Sequence, residues 1–398
     1  MLKIELDKIL AILGSIVFFF NIPPFFLWHI NFAIYWCFLL IFLFSSMFKF
    51  KAIDTSQLVI IILFILLHAL NSVSLQGVSM PSIVTLITIC TIIVLPIKTK
   101  KDIFKSIVLT FTVINLVSIP FYILAVLGSN LPSVIIEPLN PVKTGFYLNY
   151  LFTLSYSDHI VNGFFRYQSI FDEPGVVGSL SMLIIVMTDG KNGYRLTRFV
   201  ALLSGVLSFS FAFYILLFVY IGYHGFFKHK SRVKLLFIIP ILISVSVPFY
   251  SVISEEVPMV KTMENRFSLL MNGPEKASNR TSSTFDKAFY DFLNSNDIYL
   301  GAGKHAASKL DPAGNSFKYY IYDYGVISFI LINFIILFYF FLSNRNKVTG
   351  ALVVIIVSLF LLQRSNYTSL WFVMLLVCFA SSPNVSLNEI KREMPNKR

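Results

Sequence analysis

Ten residues near the middle of the chain, Arg166-Tyr-Gln-Ser-Ile-Phe171-Asp-Glu-Pro174-Gly175, set one guanidinium and two adjacent carboxylates before a proline. Arginine presents a planar, permanently charged fork that matches phosphate oxygens in pairs. Asp172 and Glu173 are of the type that takes or gives a proton. Proline at the first helical position, with acids just before it, is also a sound helix start. The same residues therefore fit a plainer role, a membrane-interface cap with Arg166 reaching lipid headgroups.

A second set lies between 253 and 323. It holds Arg266, Arg280, Asp286, Gly301-Ala-Gly303, His305 and Asn315-Ser316. Arg266 and Arg280 add phosphate-matching groups, and Asp286 and His305 add proton acceptors. Arg364 stands in a short turn farther on. Each has a bland counterpart. A lone loop histidine is commonly solvated, Asn315-Ser316 fits a simple turn or cap, and outer arginines contact headgroups. Gly301-Ala-Gly303 is not a nucleotide-binding loop, because no Gly-Lys-Ser/Thr follows it. Cys37, Cys90 and Cys378 lie in apolar runs without metal-ligand spacing and read as small buried hydrophobes. No metal and no cofactor are expected.

These residues are set in a chain of 398 residues that is 56% hydrophobic and only 13% charged. Its mean hydropathy is +0.76. Soluble domains run at about 45–50% apolar and about 25% charged. That excludes a soluble globular enzyme, a disordered chain and a disulfide-rich scaffold. The expectation is an all-α polytopic integral membrane protein, one membrane domain over 1–398. Apolar windows fall at 9–27, 30–48, 58–73, 82–97, 107–127, 171–188, 199–209, 211–227, 235–252, 324–342, 349–362 and 368–382. They predict about 12 transmembrane helices, some short enough to be tilted, re-entrant or merged. The first run reads as a retained span rather than a cleaved signal.

With the N-terminus placed in the cytoplasm, 21 of the 32 Lys and Arg residues fall in inside connections. Ten of the other 11 lie in two long outer loops, 128–170 and 253–323. Long loops escape the positive-inside rule. Both termini are then cytoplasmic, with a tail over 383–398. The net charge of +12 thus reflects membrane orientation and not nucleic acid. Short inside connections leave chemistry to the outer face. In the second loop, Phe285, Ala288, Phe289, Phe292 and Leu293 form one apolar stripe, predicting an amphipathic helix near 283–293 that lies flat on the outer leaflet or lids the bundle, its Phe stripe serving packing before any substrate contact. Ser283 with Asp286 resembles its N-cap pair. No window carries an acid in its interior, and His68 reads as a packing residue. Both features weaken an ion-coupled transporter.

The topology, the Arg166…Phe171-Asp-Glu173-Pro174-Gly175 run, Gly301-Ala-Gly303, Asn315-Ser316-Phe317 and Tyr324-Gly325-Val326 together resemble the bacterial O-antigen polymerase (Wzy-type) and O-antigen ligase superfamily. The resemblance covers the whole topology and, at motif level, roughly 163–180 and 280–330. It implies a GT-C-like, metal-independent membrane glycosyltransferase of the bacterial inner membrane, with its site facing the periplasm or cell exterior. The donor would be an oligosaccharide on undecaprenyl diphosphate. Arg166, and less directly Arg280, match the arginines that hold the diphosphate. Glu173 and His305 are the further catalytic candidates. Asp172, Arg266, Arg364 and Asn315 are substrate-binding candidates, and Asp172 and Asp286 are also possible bases. Partners implied are membrane lipids, a chain-length regulator and a flippase. Ligases and many polymerases carry a His-Asn pair where this chain reads Gly314-Asn315-Ser316, which favours the polymerase. The rivals are a ligase moving polymer onto lipid A-core and a transporter of lipid-linked saccharide.

Overall fold

The computed structural model describes residues 5–28, 32–50, 52–73, 79–138, 143, 145–157, 160, 164–225, 281–312, 314, 316–343, 347–364 and 367–380. The window at 235–252, Arg266, Arg280, Asn315 and the tail 383–398 lie outside the described residues.

Of the described residues 73% are helical, and 13 α-helices are found among them. They are α1 (Leu6–Phe20), α2 (Phe32–Met47), α3 (Thr55–Val73), α4 (Met80–Val94), α5 (Ile97–Val126), α6 (Pro174–Met187), α7 (Arg195–Leu207), α8 (Phe211–Tyr223), α9 (Ser283–Leu293), α10 (Ala306–Leu310), α11 (Phe317–Ser343), α12 (Lys347–Gln363) and α13 (Leu370–Ala380). Among the described residues three helices are long and apolar enough to cross a membrane: α3, α5 and the part of α11 over Phe317–Phe340. Only 22% of the best window of α3 is buried. Its outward Leu58, Ile62, Ile65 and Leu66 are exposed, as are Leu109, Val113 and Leu116 of α5. An apolar helix with an apolar outer face suits a membrane and not water.

The core is built on two helices. All 11 residues of α13 and nearly all of α6 are buried. Around them α5 packs on α1 and α7, α8 packs on α6 and α12, and α3 packs on α11. The helix ends carry the charges. Asp7, at the start of α1, meets Lys49 at 3.0 Å, Lys98 at 3.3 Å and the Thr99 hydroxyl at 2.7 Å. Phe25, just after α1, donates its N–H to Ile170 O at 2.9 Å, so the end of α1, and not the Asp7 cluster at its start, lies by the start of α6.

Several expectations need correction. The helix that carries the 107–127 window begins ten residues earlier, at Ile97, and within its first turns Lys100 Nζ donates to the Ile93 carbonyl at 2.6 Å. The helix that carries the 324–342 window begins at Phe317 and not at 324. Gly325 interrupts it at φ 79°. The fold is not purely helical. Strands β1 (Val134–Ile136), β2 (Tyr147–Asn149) and β3 (Leu154–Tyr156) form a small antiparallel sheet, ordered β1-β2-β3. Tyr147, Leu154 and Tyr156 cluster with Trp28, which fixes the sheet to the connection between α1 and α2. Among the cysteines, Cys378 is buried but Cys37 is exposed on α2.

Helix α9 spans Ser283–Leu293, as its stripe predicts. Phe285, Phe289 and Phe292 are buried against Tyr319, Ile321 and Ala307. Leu293 is 37% exposed, so the stripe is narrower than expected. The N-cap is Ser282, whose hydroxyl accepts from Phe285 N at 3.2 Å. Ser283 is therefore not the cap. Asp286 turns instead to Lys318 at 2.7 Å and to the Thr281 hydroxyl at 3.1 Å.

Candidate functional site

The Arg166–Phe171 run is not a solvated loop. Phe165, Tyr167, Ile170 and Phe171 are buried with Gln168 and Ser169. Four tethers hold the run in place. The Tyr122 hydroxyl donates to Phe165 O at 2.9 Å, Tyr167 N to Leu207 O at 3.1 Å, Leu154 N to Ser169 O at 2.8 Å and Phe25 N to Ile170 O at 2.9 Å. Helices α5 and α7, the sheet and the α1–α2 connection thus fix where Asp172 and Glu173 emerge.

Pro174 then opens α6 at its first position, and Glu173 is the extended N-cap residue at φ −144° and ψ 137°. Its carboxylate is not used on the helix backbone. Oε2 accepts from Arg364 Nη2 at 3.0 Å. Arg364 follows α12 and is buried. Its guanidinium lies where a Cβ on Gly175 would stand. On the other side, Lys143 Nζ lies 3.5 Å from Asp172 Oδ2 and 4.0 Å from Glu173 Oε1. The Tyr147 hydroxyl donates to the Asp172 carbonyl at 2.7 Å and accepts from Lys143 Nζ at 2.7 Å. Lys143 also donates to that carbonyl at 3.2 Å. It lies over the rings of Tyr147 and Tyr156. Two cations and two carboxylates therefore converge on the first turn of α6, whose N-terminus favours negative charge.

The carboxylates are not equivalent. Burial, and then the neighbouring Glu173 charge, push Asp172 above the ordinary carboxylate range, while Lys143 and Arg364 pull the other way. Its side chain remains 38% exposed. Burial and the same two carboxylates hold the Tyr147 phenol protonated.

Arg166 sits at the same end of α6 but makes different contacts. Nε donates to Ser208 O at 3.1 Å and Nη2 to Phe209 O at 2.9 Å. These are carbonyls at the C-terminal end of α7, where a cation is favoured. The turn it holds packs on α6: a Cβ on Gly178 would come within 2.6 Å of the Ser210 side chain. Gly175 and Gly178 are one helical turn apart, so α6 receives Arg364 and the Arg166-held turn at successive levels.

The described part of the second loop, from 281 onward, packs on the start of α11. The Gly301–Gly303 segment lies against the break in α11. Ala302 N donates to Tyr322 O at 2.7 Å and Gly303 N to Asp323 O at 3.2 Å. The Asp323 carboxylate accepts from His305 N at 3.1 Å and from Ala307 N at 2.8 Å, capping α10. His305 is exposed and left-handed at φ 63°. Its own carbonyl accepts from the Ser308 hydroxyl.

The structure thus joins Asp172, Glu173 and Arg364, sets Arg166 beside the same helix, and places His305 with Asp323. Sequence reasoning missed Lys143 and Tyr147. The available signal was that Lys143 is the only lysine between 106 and 190. Among the described residues no group of three or more His, Cys, Asp or Glu is placed to hold a metal ion. No known protein family matches the chain, and no curated protein matches it.

Proposed function

We propose that the protein polymerises undecaprenyl-diphosphate-linked oligosaccharide repeat units into O-antigen or capsular polysaccharide. In this reading it is a multi-pass protein of the bacterial inner membrane, with about 12 spans and both termini in the cytoplasm. The Asp7 cluster then lies at the cytoplasmic end and the Glu173 cluster at the outer end. The observation that supports the reading best is the pairing of Arg364 with Glu173. It brings a remote outer cation onto the Arg166…Glu173-Pro174-Gly175 segment that carries the family resemblance.

The chemistry follows from the compartment. No nucleotide is available outside the cell, so the sugar must arrive activated, and an anomeric diphosphate does that. Negative charge gathers on the leaving diphosphate as the bond breaks. Preorganised cations stabilise it in the transition state. One unit charge at 4 Å contributes about 4 kcal/mol at an effective dielectric of 20. Arg166, Arg364 and Arg280 are the arginines assigned this work, with Arg266 a further outer contact. The acceptor hydroxyl needs a base within hydrogen-bond reach. The absence of a His-Asn pair at Gly314-Asn315-Ser316 favours polymerase over ligase.

The test is reconstitution in liposomes with the lipid-linked repeat unit, EDTA and no nucleotide. A ladder of polymer on a gel is the expected result. Units that stay single would overturn the reading for that substrate.

A further inference from the structure

We infer that Asp172 takes the proton of the acceptor hydroxyl, and that Lys143 is the positioning residue that holds it, an assignment that rests on the polymerase reading. Four side chains compete for the role, and the geometry separates them. Glu173 is drawn onto Arg364 at 3.0 Å, with Lys143 at 4.0 Å from its other oxygen. Asp286 is held between Lys318 at 2.7 Å and the Thr281 hydroxyl at 3.1 Å. His305 is exposed in the second loop, and its backbone is fixed to Asp323. Asp172 differs from all three. Its backbone is locked, because its carbonyl accepts from both the Tyr147 hydroxyl and Lys143. Its carboxylate meets Lys143 at 3.5 Å, a longer contact than the 3.0 Å at which Arg364 holds Glu173, and its side chain is 38% open against 45% for Glu173, so the two carboxylates differ in engagement and not in access. A fixed backbone, a carboxylate held by a single longer contact and an open side are what a base at this position requires.

The groups facing Asp172 are Lys143 and Tyr147 from the first outer loop, Glu173 beside it and Arg364 from the turn after α12. Burial first, and then the Glu173 charge, raise the proton affinity of Asp172 against the opposing pull of Lys143 and Arg364, which brings a carboxylate closer to the pH at which it must work. In the step, the acceptor O–H proton passes to an Asp172 carboxylate oxygen. The acceptor oxygen forms its bond to the anomeric carbon. The bond from that carbon to the diphosphate oxygen breaks, and its electron pair leaves with undecaprenyl diphosphate. The proton on Asp172 then returns to bulk water through the open side of the recess.

The experiment uses the full-length protein in liposomes with the lipid-linked repeat unit. Initial polymerisation rates are followed from pH 4.5 to 8.5 for the unaltered chain and for Asp172→Asn, Lys143→Ala and Lys143→Arg. The unaltered chain should show a rate that rises with pH along an acid limb. Asp172→Asn should lower the rate by about 100-fold or more, the usual scale for a lost general base, and should abolish the limb. Flotation with labelled substrate should show binding retained. Lys143→Ala should move the limb to higher pH, because a cation that eases ionisation is gone, and Lys143→Arg should restore it. A structural role alone would not move the limb. Polymer formation by Asp172→Asn at the ordinary rate with an unchanged limb overturns the assignment while leaving the polymerase reading intact. If Asp172→Asn fails to insert, a limb unmoved in Lys143→Ala overturns it equally. No ladder from the unaltered chain overturns both.

Discussion

Arg364 and Glu173 stand 191 positions apart in the chain, yet Nη2 of one lies 3.0 Å from Oε2 of the other. The contact ties the end of α12 to the first turn of α6. Gly175 leaves the space for it, since a Cβ there would meet the Arg364 guanidinium. The colliding group is the tip of a long side chain, so the guanidinium gives way and not the helix. Gly175→Ala should therefore break the pair without unfolding α6, at a cost of about 1–3 kcal/mol, the range for overpacking a filled site. Glu173→Gln removes the same contact, so in a double-mutant cycle the two changes should be clearly non-additive. Thermal midpoints in detergent test this. Purely additive losses would show that Gly175 protects something other than the pair.

The break in α11 makes a second prediction. Gly325 is at φ 79° and ψ 167°, a region essentially closed to residues with a side chain, at a cost of about 1–3 kcal/mol. A Cβ there would also meet the Tyr299 carbonyl, and one on Gly301 would meet the Asp323 carbonyl. Both obstacles are backbone, so neither can swing aside. Gly325→Ala and Gly301→Ala should each lower stability by about 2 kcal/mol or more, because strain and collision add. The damage should appear first as faster proteolysis between 296 and 311. Variants as resistant as the parent would mean that the loop and the helix break are not interlocked.

Helix α9 should come loose by itself. Phe285 is fully buried, with its ring 4.5 Å from Tyr319 and 6.1 Å from Phe289. Phe285→Ala removes the most deeply buried of the three rings that α9 buries, at about 3–5 kcal/mol. Hydrogen exchange should then accelerate across 283–293 while the amides of α6 and α13 stay protected. A uniform loss of protection would mean that α9 is part of the bundle core.

How much of this was legible in the sequence follows from the range of each interaction. The bounds of α9 and the start of α6 at Pro174 were readable, because apolar periodicity and proline at the first helical position act within a few residues. The Gly301 and Gly325 motifs were visible, but not that each makes room for the other's backbone. That fact depends on a contact between distant segments. The β2–β3 hairpin was invisible, since its strands have three residues each and its turn uses Leu151 at φ 66° with no Asn-Gly or Asp-Gly signal. The Lys143–Asp172 and Arg364–Glu173 contacts were hidden for the same reason as the glycine pair. Charge type can be read from a sequence, but separation across a fold cannot.

Asp172 also makes a prediction about stability. Its proton affinity is raised in the folded protein, first by burial and then by Glu173. A carboxylate shifted in this direction stabilises the fold fully below its unfolded value of 3.8. That contribution is lost as pH rises through the higher folded value. Asp172→Asn keeps the shape and removes the titration. Its thermal midpoint, relative to the parent, should rise as pH goes from 4 to 7. A difference independent of pH would show that the carboxyl is not strained by its surroundings.

Arg166 poses the sharpest choice between structure and chemistry. Its guanidinium donates to the Ser208 and Phe209 carbonyls at 3.1 and 2.9 Å, so part of its role is to close the end of α7. Hydrogen bonds from a charged group are worth about 1.5–3 kcal/mol each when lost. Arg166→Ala should therefore lower the thermal midpoint. Arg166→Lys should lose less, because an ammonium can keep one carbonyl but not the fork. If Arg166 also grips the leaving diphosphate, both variants should lose polymerisation by about 100-fold or more at a temperature where they remain folded, the scale of a lost transition-state contact. If capping is its whole purpose, Arg166→Lys should regain most of the activity along with the stability. The two properties must be measured on the same preparation, since only their divergence assigns Arg166 to the reaction.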